Sequence, residues 1–149
     1  MPRRDEDSHD ILGTFNVLSN RAEMQKTPSS VDEFLGLLQH RHAILLEGRP
    51  HMNPGIFKIK NNRAGMTEFV DHRLVKGTLI QGFKYYQALN DPLARAIFMM
   101  FMISEVHPFL DGNGRIARVM MNAELVRAEQ SRIIVPTVFR GKHSVRRVF

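Results

Sequence analysis

Residues 107–118 read His-Pro-Phe-Leu-Asp-Gly-Asn-Gly-Arg-Ile-Ala-Arg. Pro108 disfavours helical geometry at the residue before it, so a helix must end at His107. Upstream lies Ile97-Phe98-Met99-Met100-Phe101-Met102-Ile103, an apolar run that predicts a buried helix ending near Val106. Downstream, Ile116, Val119, Met120 and Ala123 recur at helical spacing, so a second helix opens around Gly114. The segment is therefore a loop between two core helices. It carries a base, a hard-metal ligand, a glycine-bracketed turn and two arginines.

Working outward, Ser29 or Ser30 can cap a helix running to about Leu46, with Phe34, Leu35, Leu37, Leu38, Ile44 and Leu45 as its apolar content and Gly48 as its stop. Residues 49–70 are rich in Pro, Gly and Asn, with a short Thr67–Val70 run that suits a hairpin around Gly65. Further helices are predicted over 72–89, 92–106 and 114–129, the second opened by Asp91 as cap and Pro92 as first residue. The fold class is all-α, mostly helical, with a small β-hairpin. Residues 1–10 are charged and read as a disordered segment, residues 11–139 as the domain core, and residues 140–149 as a basic tail.

The composition fits a single domain of 149 residues. The absence of Cys excludes disulfides and thiolate metal sites, and a polar opening without a signal-peptide pattern points to a cytoplasmic protein with no membrane anchor. Net charge is +6, yet several basic residues belong to the 107–118 segment and to the terminal cluster, so nucleic-acid binding is not favoured. Met99, Met100, Met102, Met120 and Met121 read as core packing, and His40 and His42, two apart on a helix, face different ways and make no metal pair.

The chemistry of the segment follows from its placement. His107 sits at a helix C-terminus, where the macrodipole favours the imidazolium and so strengthens the ring as a base. Asp111 is a hard oxygen ligand suited to Mg²⁺, which binds through one or two carboxylates plus substrate phosphates. Gly112 and Gly114 clear side chains from backbone N–H groups at the start of a helix, a ready site for an anion. Arg115 and Arg118 share one helix face and can both point at phosphates, and Asn113 can donate to a phosphate oxygen from the turn. These are parts for gripping a polyphosphate and deprotonating a hydroxyl.

The segment closely resembles the signature of the Fic family (filamentation induced by cAMP), His-x-Phe-x-Asp/Glu-Gly-Asn-Gly-Arg-x-x-Arg. It is matched by His107, Phe109, Asp111, Gly112, Asn113, Gly114, Arg115 and Arg118. The resemblance extends to Asn53-Pro54-Gly55-Ile56-Phe57-Lys58 and to Arg132-Ile133-Ile134-Val135-Pro136-Thr137-Val138-Phe139. It implies an enzyme of the Fic fold, a protein adenylyltransferase that moves AMP from ATP to a Tyr, Thr or Ser hydroxyl of a target protein. His107 would take the proton, Asp111 would hold Mg²⁺, Asn113 and Arg115 with the loop N–H groups would cradle the phosphates, and Arg118 would reach the γ-phosphate. Phe109 would anchor the loop in the core. Kinase-like relatives carry Lys in place of Gly114, so the intact run favours AMP transfer, with UMP, GMP and phosphocholine donors left open.

The same resemblance makes residues 61–70 a flap, with Gly65, Met66, Thr67, Glu68 and Phe69 positioning the target backbone as an added strand. It also sets two departures. Many relatives carry an inhibitory helix with Ser/Thr-x-x-x-Glu-Gly/Asn. Here Ser19 to Glu23 is followed by Met24, and Ser29 to Glu33 by Phe34, so no such helix is recognised. The enzyme is expected to be unrestrained unless a partner protein supplies the glutamate. Relatives also continue into an adenosine-binding helix where this chain has residues 140–149, so a truncated site is expected. That favours a second reading, a degenerate module that binds nucleotide or a partner without turnover.

Overall fold

The computed structural model describes residues 2–133, with side chains from Ser8 onward. Six helices surround one core: α1 (Pro2–Ser19), α2 (Arg21–Met24), α3 (Val31–Leu45), α4 (Val75–Gln87), α5 (Pro92–Val106) and α6 (Asn113–Arg127). Strands β1 (Arg63–Ala64) and β2 (Thr67–Glu68) form an antiparallel hairpin in which Arg63 opposes Glu68 and Ala64 opposes Thr67. The expected tail at 140–149 and the Val-Pro-Thr-Val-Phe run lie outside the described residues.

The helix starts follow from their caps. The Ser30 hydroxyl accepts from the Glu33 N–H, while the Glu33 carboxylate reaches back to the N–H and hydroxyl of Ser29 at 2.7 and 2.6 Å. This satisfies donors that a bare helix start leaves open. Asp91 caps α5 through the Ala94 N–H at 2.8 Å, with Pro92 next. Helix α5 stops where Pro108 requires it, and His107 leaves the helix with φ 51° and ψ 61°. After a short loop Gly112, at φ 77°, turns the chain into α6.

Helices α5 and α6 lie antiparallel and form the centre. Met99, Met102, Ile103 and Val106 pack with Ile116, Val119, Met120 and Ala123, while Ala96 meets Met121 and Leu125 at the far end. Helix α4 adds Val75, Leu79, Phe83 and Tyr86, and the Phe83 ring stacks on Phe34 of α3 at 5.1 Å. Of the methionines read as core packing, those at 99, 102, 120 and 121 are buried and Met100 is partly buried against the same core.

The start of the chain differs from expectation. Residues 1–10 read as disordered, yet helix runs from Pro2 to Ser19. The helix is held by tertiary contact, a signal that the 3.6-residue periodicity cannot carry. Val17 is buried, and Gly13 lies so close to the end of α3 that a Cβ there would strike the Leu45 carbonyl. Helix α1 is thereby laid across the end of the core that carries the 107–112 loop.

A buried charge fastens α2 to the core. Arg41, fully buried on α3, donates from Nε to Glu23 at 3.1 Å and from Nη2 to the Glu23 and Lys26 carbonyls, both at 2.7 Å. Removing the guanidinium strands Glu23, itself 6% exposed. Arg41→Ala should therefore lose about 3–5 kcal/mol of stability, measured as the shift in urea unfolding at constant slope.

Candidate active site

The loop between α5 and α6 is built from below. Phe109 is fully buried and lies flat against the His42 ring, centroids 3.6 Å apart and planes within 5°. The Asn113 side chain, 4% exposed, accepts from the Phe109 N–H at 2.8 Å and donates to the Phe109 carbonyl at 2.9 Å. Asn62, just before the hairpin, donates to the same carbonyl at 2.9 Å. Asn113 therefore closes the loop. The side chain expected to donate to a phosphate thus also holds the loop, through both ends of its amide.

His42 has the largest structural role that the sequence did not reveal. The Gly55 N–H donates to its Nδ1 at 2.9 Å, so the ring proton must sit on Nε2, which donates to the Asp111 carbonyl at 2.8 Å. Burial pushes its pKa down to about 4, against the opposing pull of the Asp111 carbonyl. A second proton would have to occupy Nδ1, against the Gly55 N–H.

His107 has the opposite arrangement. Its Nδ1 lies 2.8 Å from the Ser104 carbonyl and so carries the proton, which leaves Nε2 of the neutral ring with its lone pair. Phe69, at the end of the hairpin, stacks on this ring at 3.5 Å with planes within 3°. A pocket of about 280 Å³ is lined by His107, Asp111, Gly112, Asn113, Gly114 and Arg115, together with Leu110, Asn62 and Arg63. Six of the residues singled out from the sequence thus meet in one cavity. Arg118 lies one turn further along α6 and outside that lining. Of the hairpin residues Gly65, Met66, Thr67, Glu68 and Phe69, the first four are exposed at the tip and Phe69 is buried against the His107 ring.

Charge in the pocket is balanced by residues from outside the 107–118 segment. The Asp111 carboxylate accepts from the Gly112 N–H through Oδ1 at 2.7 Å, and its Oδ2 lies 2.8 Å from Arg49 Nη1 and 3.9 Å from Arg115 Nη2. Asp10 of α1 enters from the other side, with Oδ2 at 2.7 Å from Arg115 Nη1 and 3.2 Å from Arg49 Nη1. No restraining helix was recognised in the sequence, yet α1 sets a carboxylate on the first arginine of the segment. Glu23, the acid of the incomplete inhibitory pattern, is instead held by Arg41 and Lys26. Neither Arg49 nor Asp10 was legible beforehand, since nothing local connects them to residue 115.

As to a metal, no cluster of three or more His, Asp or Glu side chains is disposed to hold an ion among the described residues. Asp111 is the carboxylate at the pocket, 39% exposed. A single carboxylate suits Mg²⁺, which takes its remaining ligands from phosphate oxygens and water.

Comparison with known proteins agrees with the fold. The model of the Fic/DOC family matches residues 33–125. The protein adenylyltransferase Fic of Drosophila willistoni is 36% identical over 58 residues, which is 39% of this chain and 12% of that protein. The protein of the same name from Drosophila persimilis is 38% identical over 52 residues, 35% of this chain and 10% of that one. The matched part thus spans about a tenth of these curated relatives. Among solved structures, a Fic-domain-containing signaling protein from Bacteroides thetaiotaomicron superposes with a TM-score of 0.69 at 18% identity, covering 88% of this chain and 51% of that one. No helix of the described residues is long and apolar enough to cross a membrane.

The His42 geometry sets a pH dependence. The folded pKa of about 4 lies below the unfolded 6.5, so the unfolded chain binds more protons between those values. Stability should fall as pH drops from about 6.5 to about 4, by about 3 kcal/mol from this ring alone. Urea unfolding of the protein and of His42→Gln at pH 7 and pH 5 checks it; the variant should show the shallower pH slope.

Proposed function

Because the chain belongs to the Fic/DOC family, we propose that it transfers the AMP moiety of ATP to a hydroxyl side chain of a target protein. The observation that carries this reading is the His107 ring. Its Nδ1–H is committed to the Ser104 carbonyl, and the ring shares one pocket with Asp111, Gly114 and Arg115. With Nδ1 donating, the basic nitrogen of the neutral ring is Nε2.

In this reading the target hydroxyl gives its proton to His107 Nε2 as its oxygen bonds to the α-phosphorus. The bond from that phosphorus to the bridging oxygen of the β-phosphate breaks, and pyrophosphate leaves. The N–H groups at the start of α6 have no partners within the helix and face the phosphates where Gly112 and Gly114 leave the backbone bare. Arg115 supplies charge at the same place and Arg118 reaches further along the chain of phosphates. Asn113 contributes through its backbone and keeps the loop closed through its side chain. Asp111 would hold Mg²⁺, which supplies charge neutralisation of the phosphates when bound.

The hairpin would align the target. Its residues from Arg63 to Glu68 are exposed, and Phe69 ties the end of β2 to the base, so a peptide added along it lies beside His107. A second reading, nucleotide binding without turnover, draws support from one observation, the Asp10 carboxylate on Arg115.

The purified chain incubated with Mg²⁺ and α-labelled ATP should become labelled. His107→Ala should lose the label by at least about a hundredfold while nucleotide binding holds. Binding without label in the parent protein would favour the second reading. Arg118→Ala should weaken ATP by about tenfold and ADP much less, as expected for a charge-assisted contact to the terminal phosphate. Isothermal titration with both nucleotides reads the difference.

A further inference from the structure

Arg49 lies outside the 107–118 segment, in the turn that follows α3, with its backbone N–H bonded to the Leu46 carbonyl at 2.9 Å. Its side chain is 10% exposed and meets two carboxylates through one nitrogen, Nη1: Asp111 at 2.8 Å and Asp10 at 3.2 Å. Asp10 Oδ2 therefore stands between two guanidiniums, Arg49 on one side and Arg115 on the other.

The fit is poor. Asp10 Oδ1, Arg49 Nε and Arg115 Nη1 are all buried and have no hydrogen-bond partner. The Arg115 contact at 2.7 Å is an ion pair without hydrogen-bond alignment. Buried polar atoms are normally paired, and three orphans around one carboxylate mark a site shaped for something else. Two guanidiniums present many fixed donors to an anion. A carboxylate offers two oxygens in one plane, whereas a terminal phosphate offers three arranged as a tripod and carries more charge.

We infer that Arg49 and Arg115 together form a phosphate subsite, in which the Asp10 carboxylate stands in for a phosphate oxygen of the donor's polyphosphate. Arg49 is then a further phosphate-binding residue, contributed by a turn remote in sequence. The subsite and the carboxylate of α1 are mutually exclusive, so Asp10 leaves the two guanidiniums as phosphate arrives. This rests on the nucleotide-using reading above, but its test needs no transfer.

Inorganic tripolyphosphate, which has no group to transfer to a hydroxyl, is titrated calorimetrically into the full chain at low salt. Asp10→Asn should tighten binding by about tenfold, since it removes the internal competitor. In the Asp10→Asn background, Arg49→Gln should weaken binding by about tenfold or more, and Arg49→Lys should recover part of the loss. Thermal unfolding of each variant identifies any that fail to fold. Unchanged affinity in Asp10→Asn overturns the proposal, even if the Arg49→Gln chain is too unstable to use. Unchanged affinity on adding a folded Arg49→Gln also overturns it, because an Arg49 that merely props Asp111 would leave tripolyphosphate binding intact. Missing label transfer with these affinity changes present would count against the adenylyl reading alone.

Discussion

Everything at the pocket depends on one neutral imidazole. The His42 ring accepts from Gly55, donates to Asp111 and lies flat on Phe109, so it joins α3, the loop after it and the turn that opens α6. A group that both accepts and donates in opposite directions can do so only in one tautomer, and desolvation keeps it there. A lysine or arginine has no acceptor and a carboxylate has no donor when ionised, so neither could make both contacts at neutral pH. The loop carrying His107 and Asp111 owes its shape to a residue that takes no part in the proposed reaction.

Above that foundation the two histidines divide the work by the partners of their nitrogens. His42 gives both ring nitrogens to backbone and is inert. His107 gives one to the Ser104 carbonyl. The difference arises from position: His42 sits in the last turn of α3 with its ring in the core, whereas His107 has left its helix at a positive φ, just before the proline that keeps it from continuing the helix. Phe69 then links the His107 ring to the hairpin, so the strand that would align a target also covers one face of the ring.

The charges form a chain that the core makes possible. Because Gly13 lets α1 rest on the Leu45 backbone, Asp10 arrives opposite Arg115, and Arg49 bridges it to Asp111. Largely buried ion pairs of this kind are geometrically specific and only modestly favourable, because desolvation opposes the attraction. That balance suits the proposed subsite, in which the contact would yield to a more highly charged ligand. The Glu23–Arg41 pair is deeper, shares carbonyl partners and belongs to the framework.

The sequence alone determined the elements that local rules govern. Ser30, Asp91 and Pro92 cap helices by chemistry confined to one turn; Pro108 ends α5; the spacing of Ile116, Val119, Met120 and Ala123 announces α6; Gly65 marks the hairpin turn. That His107, Asp111, Gly112, Gly114 and Arg115 meet was equally legible, because a single loop brings them together. Only the tertiary structure decided what comes from afar. Helix α1 has no apolar stripe in its first residues and exists by docking, His42 gains its role from backbone groups at Gly55 and Asp111, and Asn113 turns inward to Phe109. Arg49 and Asp10 reach Arg115 from separate parts of the chain. Periodicity and capping report contacts a few residues apart, whereas these depend on distances set by the packed core.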